Sequence, residues 1–166
     1  MTDFICASVE GGLGNKTSVH VFDRCVWVGD YFVRPSQDFL SKLEDGLADN
    51  PGLLATKAST LSVAGLWIDQ GGSMRGATVG SAMVVSDGKT LRSNSPGETF
   101  VLDSDWPVLV STIGLLSLGE SLQEIYKALV NVDPSGFADL VGELGANNTE
   151  SGLSLSIVRF DPAGWR

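Results

Sequence analysis

The amino-acid sequence predicts an α/β fold of the α+β type: two antiparallel β-sheets packed face to face, with helices on the outside. Three observations predict it. Strand-like runs rich in β-branched and aromatic residues recur along the whole chain. Several are joined by short turns rich in Gly and Asp. Apolar residues at helical spacing are confined to segments set between groups of strands, a segregation that favours a sandwich over a parallel doubly wound sheet.

Taken in order, Phe4 to Val9 is a strand, and Ser18 to Phe22 with Cys25 to Val28 form a hairpin closed by the turn Asp23-Arg24. After Pro35, the spacing of Phe39, Leu40, Leu43 and Leu47 predicts an amphipathic helix that Asn50-Pro51-Gly52 terminates. Two long strands follow, Ser59 to Ile68 and Arg75 to Val85, separated by the loop Asp69-Gln70-Gly71-Gly72, and Asp87-Gly88 makes a further tight turn. Trp106 to Ser111 is a strand that runs into a helix over Leu115 to Ala128, with Leu118, Leu122, Ile125 and Leu129 on its apolar face. Pro134 opens another helix carrying Phe137, Leu140, Val141 and Leu144, ended by Gly145-Ala146-Asn147-Asn148, and Leu153 to Phe160 is the last strand.

With 166 residues, 43% hydrophobic and 19% charged, the chain suits a single domain spanning 1–166 with a substantial core. Twenty acidic residues against eleven basic ones give a net charge of −9, without an Arg/Lys stripe. That charge disfavours nucleic acid and anionic membrane as partners and selects basic ones if it selects any. Neither a basic leader nor a bilayer-length apolar segment is present, so a cytoplasmic protein is expected. Cys6 and Cys25 lack metal-ligand spacing and sit in apolar runs as reduced core residues.

Several segments share their order and spacing with one known family. Gly14-Asn15-Lys16-Thr17 and Val26-Trp27-Val28-Gly29-Asp30 stand where that family carries Asn-Glu-Asp and a strand ending in Asp-Gly. Ala58-Ser59-Thr60-Leu61 and Ala77-Thr78-Val79-Gly80-Ser81 are similar to its Gly-Thr-Thr strand start and its Val-Gly-Asp-Ser. Val108 to Leu115 looks like an apolar strand ending in Ser-Asp-Gly-Leu, followed by a helix like the one beginning Gly119-Glu120-Ser121. Phe137 to Val141 and Leu153 to Phe160 match the helix before its Asp-Asn motif and its final strand. On these motifs the chain resembles the metal-dependent protein serine/threonine phosphatases of type 2C, the PPM family, over nearly its whole length though shortened.

The chemistry of that family rests on aspartates that hold two divalent cations, which lower the pKa of a bridging water. Carried over position by position, the resemblance places Thr17 at the first metal aspartate with Lys16 beside it, and gives the Asp-Gly pair transposed as Gly29-Asp30. Ser81, Ile113 and Ser151 occupy three further aspartate positions, and Gly11-Gly12-Leu13-Gly14 stands where a phosphate-contacting arginine is expected. No metal, cofactor or catalytic residue is therefore expected. The resemblance implies a non-catalytic, phosphatase-like regulatory module with a protein partner, such as a Ser/Thr kinase or a phosphoprotein.

Other motifs have simpler readings. Ser86-Asp87-Gly88 is a hairpin turn, and Gly11-Gly12-Leu13-Gly14 is a flexible loop lacking the lysine of a phosphate cradle. Strand alternation sets His20, the sole histidine, opposite in facing to the neighbours of Cys25 unless the turn resets the phase. Thr2 would be a nucleophile of the proteasome-like kind if Met1 were removed, but Arg34 stands where such hydrolases need a lysine able to lose its proton. A structural or assembly subunit is the remaining alternative. Trp27, Trp67 and Trp106 are expected in the core, whereas Trp165 beside Arg166 is a candidate interface.

Overall fold

The computed structural model describes residues 4–31, 36–38, 41, 62–95, 98–102, 105–119, 121–146, 152–162 and 165. Among the described residues, ten strands fall in chain order: β1 (Phe4–Val9), β2 (Lys16–Val21), β3 (Cys25–Tyr31), β4 (Ser62–Ile68), β5 (Met74–Val79), β6 (Met83–Ser86), β7 (Lys89–Leu91), β8 (Phe100–Leu102), β9 (Val108–Ser111) and β10 (Leu155–Phe160). They form two antiparallel five-stranded sheets, ordered β1-β10-β9-β6-β7 and β2-β3-β4-β5-β8. Two helices, α1 (Leu122–Asn131) and α2 (Phe137–Ala146), cover the outer face of the first sheet. The expected sandwich is the observed one.

The strand period of two sorts the apolar residues into layers. Val26, Val28, Ala64 and Leu66 of one sheet meet Val84, Val108, Val110 and Val158 of the other to form the seam between sheets. Alternate residues of the first sheet, Met83, Val85, Leu109, Leu155 and Ile157, point the other way and pack with Ile125, Leu129, Phe137 and Val141 of the helices. Trp27, Trp67, Cys25, Val63 and Ala77 form a third cluster on the far face of the second sheet.

Three sequence expectations change. The strand expected over Arg75 to Val85 is two strands in different sheets, because the chain turns at Gly80 and Ser81, where Gly80 takes φ +72°, and crosses the seam. The helix expected from Leu115 is a 3-10 turn over Ile113–Ser117 followed, after Gly119, by α1. Pro134 likewise opens a short 3-10 turn, Pro134–Gly136, that leads into α2. Strand β8, too short to show a period, pairs with β5 where Gly76 leaves room for the ring of Phe100. Of the first expected helix, Gln37, Asp38 and Ser41 are helical, while Phe39, Leu40, Leu43 and Leu47 lie outside the described residues. Among the described residues no helix is long and apolar enough to cross a membrane.

Candidate functional site

One end of the seam is polar. Strand pairing sets Thr17 opposite Asp30, and Asp30 opposite Ser62, so these three side chains share the inner face of the second sheet beyond Val28 and Ala64. The crossover at Gly80 then brings Ser81 to Ser62, with the two hydroxyls 3.1 Å apart and the Ser81 backbone N–H donating to Ser62 Oγ at 3.2 Å. From the other sheet, β10 supplies Ser156, whose hydroxyl donates to Thr17 Oγ1 at 2.7 Å and lies 3.0 Å from that of Ser8.

Asn15 joins the two sheets. Its amide nitrogen donates to Asp30 Oδ1 at 2.7 Å and to the carbonyl of Ser154 at 3.2 Å, while its oxygen accepts the Ser154 N–H at 2.7 Å. Ser154 Oγ in turn accepts the backbone N–H of Gly11 at 3.0 Å, and Thr112 Oγ1 accepts that of Ser156 at 3.1 Å. Asn15, Ser154, Ser156, Thr112 and Asp30 are all buried, and each is held by at least one of these bonds, as buried polar groups require.

A cavity of about 230 Å³ opens on this end, lined by Ser8, Glu10, Gly11, Asn15, Lys16 and Thr17 among others. Asp30 is not part of its lining; Asn15, bonded to it, is. Burial pushes the Asp30 carboxyl above its ordinary pKa, and the hydrogen bond from Asn15 pulls only partly against that.

The structure thus gathers Thr17, Asp30 and Ser81 from the sequence-flagged positions. Gly29 pairs with Ser18 and with Val63 of the outer cluster, so Asp30 and not Gly29 shares the end with Thr17. Ile113 packs into the core between sheet and helices. Ser151, Thr2, Arg34 and Arg166 lie outside the described residues. Trp165 sits against Trp106, with ring centroids 6.1 Å apart, and its indole N–H donates to the Val130 carbonyl at 3.4 Å.

His20 takes the facing that a phase reset at the turn allows. The Phe22 N–H donates to the Cys25 carbonyl at 2.7 Å, so the two-residue turn resets the phase and places His20 on the face of Cys25 and Trp27. Its ring stacks on that of Trp27 at 4.3 Å. Burial pushes the Cys25 thiol up to about 12, which keeps it protonated and a poor nucleophile at neutral pH, whereas Cys6, also expected in the core, is exposed on the edge strand β1.

Sequence reasoning missed Asn15, Ser154 and Ser156 as members of this end. The alternation of Ser154 and Ser156 with Leu153, Leu155 and Ile157 was the available signal, since it puts two hydroxyls on the seam face of one strand.

A hard divalent cation takes six or more oxygen ligands, with carboxylates supplying the charge that replaces its hydration. Here the gathered groups are neutral hydroxyls already bonded to one another, and the Asp30 carboxylate is engaged by an amide. Among the described residues no three His, Cys, Asp or Glu side chains are grouped as a metal site would need. The described residues gathered here do not fit a two-cation centre.

No family model and no curated protein matches the sequence. Solved structures do. The PPM Ser-Thr phosphatase MsPP from Mycobacterium smegmatis superposes with a TM-score of 0.72 at 15% identity, covering 97% of this chain and 98% of that one. The fold is that of the PPM phosphatases. The catalytic domain of the serine/threonine phosphatase PstP, solved with two manganese ions, gives a TM-score of 0.61 at 13% identity over 96% of this chain and 97% of that one. The PP2C phosphatase domain of the cell-fate determinant SpoIIE from Bacillus subtilis gives 0.58 at 15% identity, over 96% of this chain and 64% of the other. Almost the entire PPM scaffold is present at an identity that carries the fold alone.

Proposed function

We propose that this chain is a pseudophosphatase: a PPM-type scaffold that binds a protein partner in signalling and does not hydrolyse phosphate esters. The observation that carries the reading is the polar end of the seam, where Thr17 and Ser62 flank one carboxylate, Asp30, itself tied to Asn15, and are bonded in turn to the hydroxyls of Ser156 and Ser81. Two-metal hydrolysis needs ligands that fix both cations and lower the pKa of a bound water. Neutral hydroxyls supply neither the charge nor the coordination number. The PPM scaffold, retained without that ligand set, supports a role in recognition.

A protein is the partner that fits best, since the charge of −9 disfavours polyanions. A Ser/Thr kinase or its phosphorylated product matches the phosphatase ancestry of the fold. The test is turnover of a phosphoserine peptide in Mn²⁺ or Mg²⁺. The reading expects no hydrolysis above the buffer rate. Metal-dependent turnover that Asp30→Asn abolishes would overturn it.

A further inference from the structure

We infer that the groove between α1 and the β6–β7 turn is a docking site for an extended segment of a partner protein that carries a basic side chain three residues from an apolar one. The inference rests on the protein-binding reading above and gives that binding a place, remote in sequence from the polar end. The groove has a volume of about 450 Å³, within the range of ligand-binding clefts, and it is lined by Asp87, Trp106, Gln123, Tyr126, Lys127 and Trp165 among others.

Its two ends differ in chemistry. At one, Gly88 packs on Gln123 and the neighbouring Asp87 offers a carboxylate. Asp87 and Gly88 both have positive φ, 51° and 71°, so the acid sits on a tight hairpin turn. At the other end, Trp165 is tied to the carbonyl of Val130, and its ring is tilted 52° to that of Trp106, which is 40% exposed. Between them the Tyr126 hydroxyl donates to the Pro107 carbonyl at 2.7 Å, fixing the segment that carries Trp106 to the helix. The walls are held in place before any ligand arrives, which lowers the ordering cost of binding.

Spacing selects the occupant. From Gln123 to Val130 the helix rises roughly 10 Å at about 1.5 Å per residue, and an extended peptide spans that distance in about three residues. A basic side chain at Asp87 therefore puts an apolar or proline side chain on the indoles. Gln123 and Lys127, one helical turn apart along the groove, present side-chain N–H groups that any peptide backbone can satisfy through its carbonyls. The net charge of −9 draws a basic segment toward the surface.

The experiment is an NMR titration of the full chain, following the indole N–H signals, with a capped synthetic peptide that places arginine and leucine three residues apart in an alanine-glycine background. Saturable, sub-millimolar binding that shifts the Trp106 and Trp165 signals is the expected result. Asp87→Asn, which keeps a residue tolerant of the left-handed turn, and Trp106→Ala should each weaken binding about tenfold or more. Unchanged Trp27 and Trp67 signals verify that both variants are folded. Lack of saturation at millimolar peptide overturns the inference, as does equal binding of a peptide with arginine and leucine adjacent or insensitivity to both variants. None of these results bears on phosphopeptide turnover, so failure here leaves the pseudophosphatase reading standing.

Discussion

Two buried charges in this molecule are treated in opposite ways. Arg159 on β10 is completely enclosed, and its guanidinium donates to the carbonyls of Leu129 and Val132 at 2.9 and 2.7 Å and, in a bidentate pair, to Asp161 at 2.7 and 2.8 Å. It thereby donates to carbonyls at and just past the C-terminal end of α1, where helix carbonyls run out of intrahelical partners, and it lies 5.8 Å from the centre of the Phe137 ring. Asp30, 5% exposed, is held by one neutral amide. The first charge is paired on every side and pins a helix to a sheet. The second is kept inside at the polar end of the seam, where a neutral amide is its partner. Full pairing is what a structural charge needs; Asp30, whose carboxyl burial pushes above its ordinary pKa, is bonded to no opposite charge of that kind among the described residues.

Substitutions can break that contrast, beginning with the largest effect. Arg159→Ala takes a donor from the Asp161 carboxylate and from the Leu129 and Val132 carbonyls, and should cost about 3–5 kcal/mol in urea unfolding; a loss within a few tenths would show the guanidinium to be ornamental. Gly80→Ala places a Cβ 2.6 Å from Ser62 Oγ at φ +72° and should cost about 1–3 kcal/mol in the same assay, because the crossover that brings Ser81 to the site cannot relax. Asn15→Ala strips Asp30 and the Ser154 N–H of a partner, with an expected loss of about 1–3 kcal/mol.

Asp30→Asn has the smallest effect and the opposite sign. Burial raises the folded pKa above the roughly 3.9 of an unfolded aspartate. The folded chain then holds the proton longer, so stability from this group is full below the unfolded value and declines as pH rises through the folded one. Removing the ionisation should raise the melting temperature at neutral pH by a few degrees, and the gain should vanish toward about pH 4. A gain that grows in acid would mean that Asp30 is a well-paired carboxylate after all.

The sandwich was legible because a period of two survives in every long strand, as in Val26, Val28 and Asp30 facing the seam while Cys25 and Trp27 face outward. The crossover was hidden, since Gly80-Ser81 lies in an unbroken β-like run and only its positive φ reveals the turn. At the site, Thr17, Asp30 and Ser81 were recognisable by motif order. Asn15, Ser62 and Ser156 were not, because their partners come from the other sheet or from distant strands and register alone decides who meets whom. Trp165 was flagged by composition, yet its neighbour Trp106 was assigned to the core; nothing local announces that one helix end carries both.

The most direct test of the account is a calorimetric titration of the intact chain with Mn²⁺. The neutral hydroxyls of Thr17 and Ser81, with Asp30 engaged by Asn15, predict no stoichiometric heat at micromolar to millimolar metal, in wild type and in Asp30→Asn alike. Saturable uptake of one or two ions by the wild type, lost in Asp30→Asn, would contradict it.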